Sequence, residues 1–263
     1  MTPLHKKCLL GERLSGELLL DCHSHVGHHA DYVIPWGQPE ELAEEMRRLN
    51  IRGTFAFQFT GIMSGEVAYG NDVVADAFRR VPGRFMGLAM VNPWFEKDVL
   101  PELERCRKLG FVGIKLITGY QGYPEDGPMF DPICAFAHEH KMPIINHNWG
   151  AQLEGLLQKF PQAQFITAHW APHQAPLVKK YENLWVCTCL PIAHESFENG
   201  MRTLRPDRVM WGSDMSDLQF GAGLGPILLA RVPDDLKCRV LGLNMRELLH
   251  TCGIPEPPAW HRH

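Results

Sequence analysis

The feature that most constrains this chain is the alternation of short apolar, β-rich runs with helical stretches from end to end. The runs fall at 18–21, 54–59, 85–91, 112–117, 144–146, 165–168, 185–189 and 209–211. They are too short and too uniformly apolar for surface helices, and they read as strands buried on both faces, as in a parallel sheet. A strand and the helix that crosses back over the sheet take roughly 30 residues, about the interval at which the runs recur. Eight such units are the count of a (β/α)8 barrel, an α/β fold of about 250 residues, and this chain has 263. A doubly wound open sheet has the same local pattern, so closure rests on the count of eight. The expectation is one domain over 1–263, with the barrel at about 18–250 and short peripheral tails. The proline-rich stretch 255–263 is one of those tails.

The intervening segments carry helix signals. Pro39 opens one whose Leu42, Met46 and Leu49 share a stripe. Leu100, Leu103 and Leu109 mark another that ends at Gly110. Asp131 as N-cap, with Pro132 in the first turn, precedes Ile133, Phe136 and Ala137. Leu153, Leu156, Leu157 and Phe160 form a further stripe. These faces would cover the outside of the sheet.

Composition narrows the function. The chain is 45% hydrophobic, enough for a sizeable core, and carries 26 basic against 30 acidic residues without long like-charge runs. That excludes the footprint of a nucleic-acid or membrane-surface protein. A mean hydropathy of -0.18, with no unbroken apolar run of about 18 residues, excludes a membrane-spanning helix. The eight cysteines are scattered and form no CxxC pair. They read as reduced thiols, and with no sustained apolar stretch near the start they point to a cytoplasmic protein. Cys187 and Cys189 share a face of the seventh strand and read as small packing groups.

Histidine is the informative excess. In LLLDCHSH, at the end of the first strand, residues two apart face the same way, so His23 and His25 can grip one ion. Imidazole is a common ligand of zinc and its neighbours. Asp21 belongs to the same alternating face and is placed to brace them from below. His147 ends the fifth strand in PIINHNW, His169 the sixth in QFITAHWA, and Asp214 the eighth in VMWGSD. In a barrel every carboxyl end opens on one face, where active sites form. Four histidines and one aspartate from four strands therefore converge.

DCHSH, GIKL, FDPICAFAHEHKMPIINHNW, FITAHWA, VMWGSD and LGLNMRELL resemble the amidohydrolase superfamily. More narrowly, they are similar to the amidohydrolase-2 branch, which includes the aminocarboxymuconate-semialdehyde decarboxylase-like enzymes. The resemblance runs from about Leu19 to Leu249. It implies a (β/α)8 barrel holding one divalent ion, most commonly zinc, on His23, His25, His147 and Asp214. It also implies catalytic roles for Asp214, as the group that takes a proton from a metal-activated water, and for His169 beside that water. A homodimer is a further implication. Lys115, in GIKL, corresponds to a position where other branches carboxylate a lysine to bridge two metals. An unmodified lysine, or one that binds a substrate carboxylate, fits this branch better.

Expected substrate contacts are Lys115, Trp149, Trp170 and His194. For other loop residues past the strands (His28, His29, Tyr32, Trp36, Gln58, Thr60, Asn92, Trp94, Tyr120 and His173) a surface role is the expectation, and His28 and His29 are not expected to ligate. The function expected is metal-dependent hydrolysis of a small carbonyl compound: an amide, ester or lactone. The alternative is a metal-dependent decarboxylase or hydratase of an unsaturated carboxylic acid. A catalytically inactive barrel that only binds a ligand is a third reading, disfavoured by the complete ligand set.

Overall fold

Eight parallel strands pair in chain order, with helices between them, in a computed structural model that describes residues 1–29, 37–191, 193 and 195–261. The strands are β1 (Leu19–His25), β2 (Ile51–Phe57), β3 (Phe85–Met90), β4 (Gly113–Leu116), β5 (Pro143–Asn146), β6 (Gln164–Thr167), β7 (Leu184–Cys187) and β8 (Val209–Met210). The ring nearly closes. β1 and β8 are joined by the Ser24–Met215 bridge and by hydrogen bonds from Cys22 N to Trp211 O (2.9 Å) and from Asp214 N to His23 O (2.9 Å). The (β/α)8 barrel expected from the strand count is the fold observed. Among the described residues no helix is long and apolar enough to cross a membrane.

The strands are short because the runs between turn signals are short, and β3 to β8 are buried at every position. Around them the helices bury the anticipated stripes in part: of Leu100, Leu103 and Leu109 only Leu103 is buried, with Val99 and Cys106 on its face, while Leu100 and Leu109 are exposed. In Pro39–Leu49, Leu42 and Met46 face the sheet, each contributing roughly 1.5–3 kcal/mol by burial. Glu96–Leu109 stops at Gly110, whose φ of 100° suits a residue without a Cβ. In Leu153–Lys159 the buried positions are Leu153, Leu156 and Leu157.

Three features depart from the sequence pattern. β1 does not end at Asp21 but continues through His25, because Ser24 and His25 pair with Ala56 and Phe57 of β2. Its polar half lies past the apolar run, where alternation puts His23 and His25 on one face, and every residue of it is buried. The tail is docked and not peripheral: Trp260 is buried, fills the space that a Cβ at Gly53 would need, and donates from Nε1 to Gly83 O at 2.7 Å. At the other terminus Leu4 is buried and its backbone N–H donates to Asp234.

Gly242, in the helical turn Arg239–Leu243, lets the last helical segment close onto the start of β1. A Cβ there would lie 2.2 Å from the backbone oxygen of Leu18. Backbone cannot yield as a flexible side chain would, so Gly242→Ala is expected to cost about 3 kcal/mol. For a domain of this size that lowers the melting midpoint by roughly 6–12 °C. Calorimetry checks it, and an unchanged midpoint would mean that the two segments are not in contact.

Candidate metal centre

The loop after β8 folds back over β1, and Asp21 holds it there. Asp21 is buried at the base of the site and accepts from His23 N (3.0 Å), Ser213 N (2.9 Å) and Ser213 Oγ (2.6 Å). Burial pushes its carboxyl up to about 7, while the Ser213 and His23 hydrogen bonds pull it back toward the ionised form. The next residue is Asp214, whose φ is 60°. A left-handed aspartate costs on the order of 1–3 kcal/mol, and such strain concentrates at functional sites. Here it turns the carboxylate toward β1. Asp214 Oδ1 lies 3.7 Å from His23 Nε2 and 3.6 Å from His25 Nε2.

These atoms suit a cation. Donors bound at ~2.1 Å around a tetrahedral ion lie about 3.4 Å from one another, close to the separations present. Protonation states agree with this. Burial, together with the charge of Lys115, lowers His23 to about 4, so its ring is neutral at neutral pH. Burial pushes Asp214 up, but His23, His25 and His169 outweigh it and hold the carboxyl below its usual range. Neutral imidazoles and an ionised carboxylate are the forms that bind metal. The site therefore fits the divalent ion that the sequence implies.

His147 stands apart, outside the groups of three or more donor atoms that lie within 4.8 Å of one another among the described residues. Its Nδ1 is 2.9 Å from His169 Nε2, and His169 Nδ1 is 3.1 Å from Cys189 O. A carbonyl only accepts, so His169 carries its proton on Nδ1 and, when neutral, accepts at Nε2 from His147 Nδ1–H. His147 is then left with its lone pair on Nε2, the form a metal takes. Burial and the neighbouring His169, Lys115 and His23 lower His147 to about 3, and burial lowers His169 as well. His169, like Asp214, is left-handed, with φ 61°. The ring expected beside the reacting water is thus engaged with His147, while remaining within 4.8 Å of the Asp214 carboxylate and the Cys189 thiol.

A cavity of about 320 Å³ opens over these groups. Its lining combines polar groups, His23, His25, Lys115, His147, His169 and Asp214, with the rings of Phe57, Phe59 and Tyr120, which pack against them. Lys115 is fully buried, with Nζ 3.2 Å from His23 Nε2 and 4.4 Å from the centre of the Phe57 ring. Burial lowers it to about 8, although Asp214 favours its charged form.

Two expected substrate contacts are corrected. Trp149 is buried in the core, donates from Nε1 to Ile166 O (3.0 Å) and packs edge-on against Phe165. Trp170 stacks on Phe197 against Gly200. Neither lines the cavity, because both indoles are taken up by packing in the core and against the neighbouring helix. His194, Tyr32 and Trp36 lie outside the described residues. The cysteines are free thiols, and Cys187 and Cys189 are buried near His23.

The residue that sequence reasoning missed is Asp217. Its Oδ1 lies 3.0 Å from His25 Nδ1 and its Oδ2 3.3 Å from His29 Nε2. The available signal was the second aspartate of GSDMSD, three residues beyond Asp214 in the same loop. His29, expected to have a surface role, is largely buried, stacked on Phe59 at 4.1 Å.

Comparison with known proteins agrees with this architecture. The 5-carboxyvanillate decarboxylase of Novosphingobium aromaticivorans, solved as a D314N mutant with bound manganese and a nitrobenzoic acid, is similar with a TM-score of 0.71 and 15% identity, over 90% of this chain and 98% of that one. The 2,6-dihydroxybenzoate decarboxylase from Rhizobium is similar with a TM-score of 0.69 and 14% identity, over 90% and 99%. The 4-oxalomesaconate hydratase from Rhodopseudomonas palustris is similar with a TM-score of 0.66 and 17% identity, over 90% and 97%. At these identities the likeness speaks for the fold. The family model described as amidohydrolase matches residues 20–251, which takes in every strand and the candidate ligands. With nearly its whole length matched, the chain belongs to the amidohydrolase family, in the amidohydrolase-2 branch.

Proposed function

We propose that the protein is a metal-dependent lyase that decarboxylates a small aromatic or otherwise unsaturated carboxylic acid. The observation that carries the reading is a buried lysine beside a cation-binding triad in a small cavity that aromatic rings also line. That pairing suits a flat acid whose carboxylate is held from one side. The decarboxylases and the hydratase among similar folds favour this alternative over the hydrolase expectation.

A divalent ion held by His23, His25, His147 and Asp214 would supply a Lewis acid that anchors and polarises a substrate oxygen. Zinc is the ion we propose, one per chain. Lys115 Nζ binds the carboxylate, while Phe57, Phe59 and Tyr120 hold the plane of the unsaturated system and exclude water. Asp214, ionised at rest, takes a proton from solvent and passes it to the carbon that bears the carboxylate. The carbon–carbon bond then breaks, its electron pair returns to the unsaturated framework, carbon dioxide leaves, and Asp214 is again ionised. His169, in the same lining, steadies the Asp214 charge and keeps His147 in its ligand form.

The test is a panel of hydroxybenzoates, unsaturated dicarboxylic acids, lactones and anilides, given to zinc-loaded and manganese-loaded protein. Carbon dioxide release from an acid is expected. Acid production from a lactone or anilide, with no carbon dioxide from any acid, would return the reading to hydrolysis.

Lys115 supplies a separate prediction. Lys115→Met keeps the buried volume but removes a charge-assisted hydrogen bond of about 1.5–3 kcal/mol, so KM for the carboxylate substrate should rise roughly 10–100-fold. Metal per chain should not change. Loss of a second metal equivalent in this variant would instead mark Lys115 as a bridging carbamate.

A further inference from the structure

The metal triad straddles the join between β1 and the chain that follows β8. One bridge, Ser24–Met215, and backbone hydrogen bonds such as Asp214 N to His23 O make that join in place of a regular ladder. His23 and His25 stand on one side of that seam, and Asp214 and Asp217 on the other. Asp21 braces the seam from below through Ser213. Above, the contacts belong to Asp217, with one oxygen against His25 Nδ1 at 3.0 Å and the other against His29 Nε2 at 3.3 Å. His25 is 4% exposed, and its Nδ1 and Asp217 Oδ1 are buried atoms with no aligned hydrogen bond among the described residues, so the 3.0 Å approach to each other is the polar contact left to both.

An imidazole with Nε2 turned to a cation site must carry its proton on Nδ1. A buried Nδ1–H needs an acceptor, and a carboxylate is the strongest available, raising the basicity of the opposite nitrogen as well. We propose that Asp217 is a positioning residue for the metal centre. It fixes His25 as the Nδ1–H tautomer, with the Nε2 lone pair beside Asp214, and ties that ring through His29 to the aromatic lining at Phe59. His29 stacks on Phe59, with ring centres 4.1 Å apart. Asp217 thereby links the loop after β8 both to a ligand and to the surface that holds the substrate. The inference rests on the metal reading above.

Two readouts test it without assay of turnover. In metal-free protein, nitrogen-15 NMR of the histidine rings should show His25 with its proton on Nδ1, and in Asp217→Ala the proton should shift to Nε2. In full-length protein, zinc affinity measured against a competing chelator should fall roughly 10–100-fold in Asp217→Ala, with stoichiometry unchanged at saturation. Asp217→Asn keeps an oxygen acceptor in nearly the same shape. It should hold the Nδ1–H tautomer with a smaller loss of affinity, so a fold defect in the alanine variant does not decide the matter. An unshifted tautomer and unchanged affinity in Asp217→Ala would overturn the proposal, as would loss of a second zinc equivalent, which would make Asp217 a ligand. If the unsubstituted protein binds no zinc or cobalt, the metal reading fails, and the tautomer measurement still decides the role of Asp217 on its own.

Discussion

Asp214→Asn is expected to cost the protein both its metal and its turnover. The substitution keeps the volume and leaves the left-handed backbone at φ 60° tolerable, since asparagine is among the residues most often found there. What it removes is charge. Asp214 is the only carboxylate within 4 Å of the Nε2 atoms of both His23 and His25 among the described residues. A neutral amide leaves three imidazoles and the Lys115 ammonium around a cation with nothing to offset their crowding. Metal affinity should fall by more than the roughly 10–100-fold typical of an outer partner. Turnover with metal forced in should still fall at least about 10²-fold, because an amide cannot carry the proton. Metal analysis after dialysis, beside initial rates at saturating metal, reads both effects. Full occupancy after dialysis would remove Asp214 from the ligand set.

His169→Asn separates chemistry from binding. His169 donates to Cys189 O and meets His147 Nδ1 at 2.9 Å, while lining the cavity beside Asp214. Its loss leaves His23, His25, His147 and Asp214 in place, so metal at saturation should stay near one per chain. Turnover should fall roughly 10²–10³-fold, the usual cost of a lost polar group that steadies charge during the reaction. The same metal analysis and rate measurement apply. If the variant loses its metal as thoroughly as a His23 variant, His169 is itself a ligand, and the tautomer chain through His147 is wrongly assigned.

The barrel was legible because each parallel strand, buried on both faces, leaves an unbroken apolar run between turn signals. Where a strand carries chemistry that signal fails. β1 runs on through Asp21, His23, Ser24 and His25, polar residues held by β2 and by the returning β8 loop, and only the alternation of Asp21, His23 and His25 marks them as strand. The candidate ligands were legible for the opposite reason: polar residues at the ends of apolar strands conflict with their surroundings, and the fold makes those ends meet. Trp149 and Trp170 were misread because a place just past a strand end does not say whether a side chain turns to the cavity or into the core. Asp217 and His29 were passed over because their partnership spans the seam between the first and last strands, a distance that no spacing along the chain encodes. Trp260 was read as peripheral because its neighbours are prolines, although its indole finds the surface left bare by Gly53.

The central claim is that one divalent ion is held by His23, His25, His147 and Asp214. The most direct measurement is a crystal structure of zinc-replete protein, with anomalous scattering collected on both sides of the zinc edge. The account predicts a single anomalous peak per chain, at roughly 2.0–2.2 Å from a donor atom of each of those four side chains. Well-ordered density with those side chains pointing apart, or a peak ligated elsewhere, would contradict it.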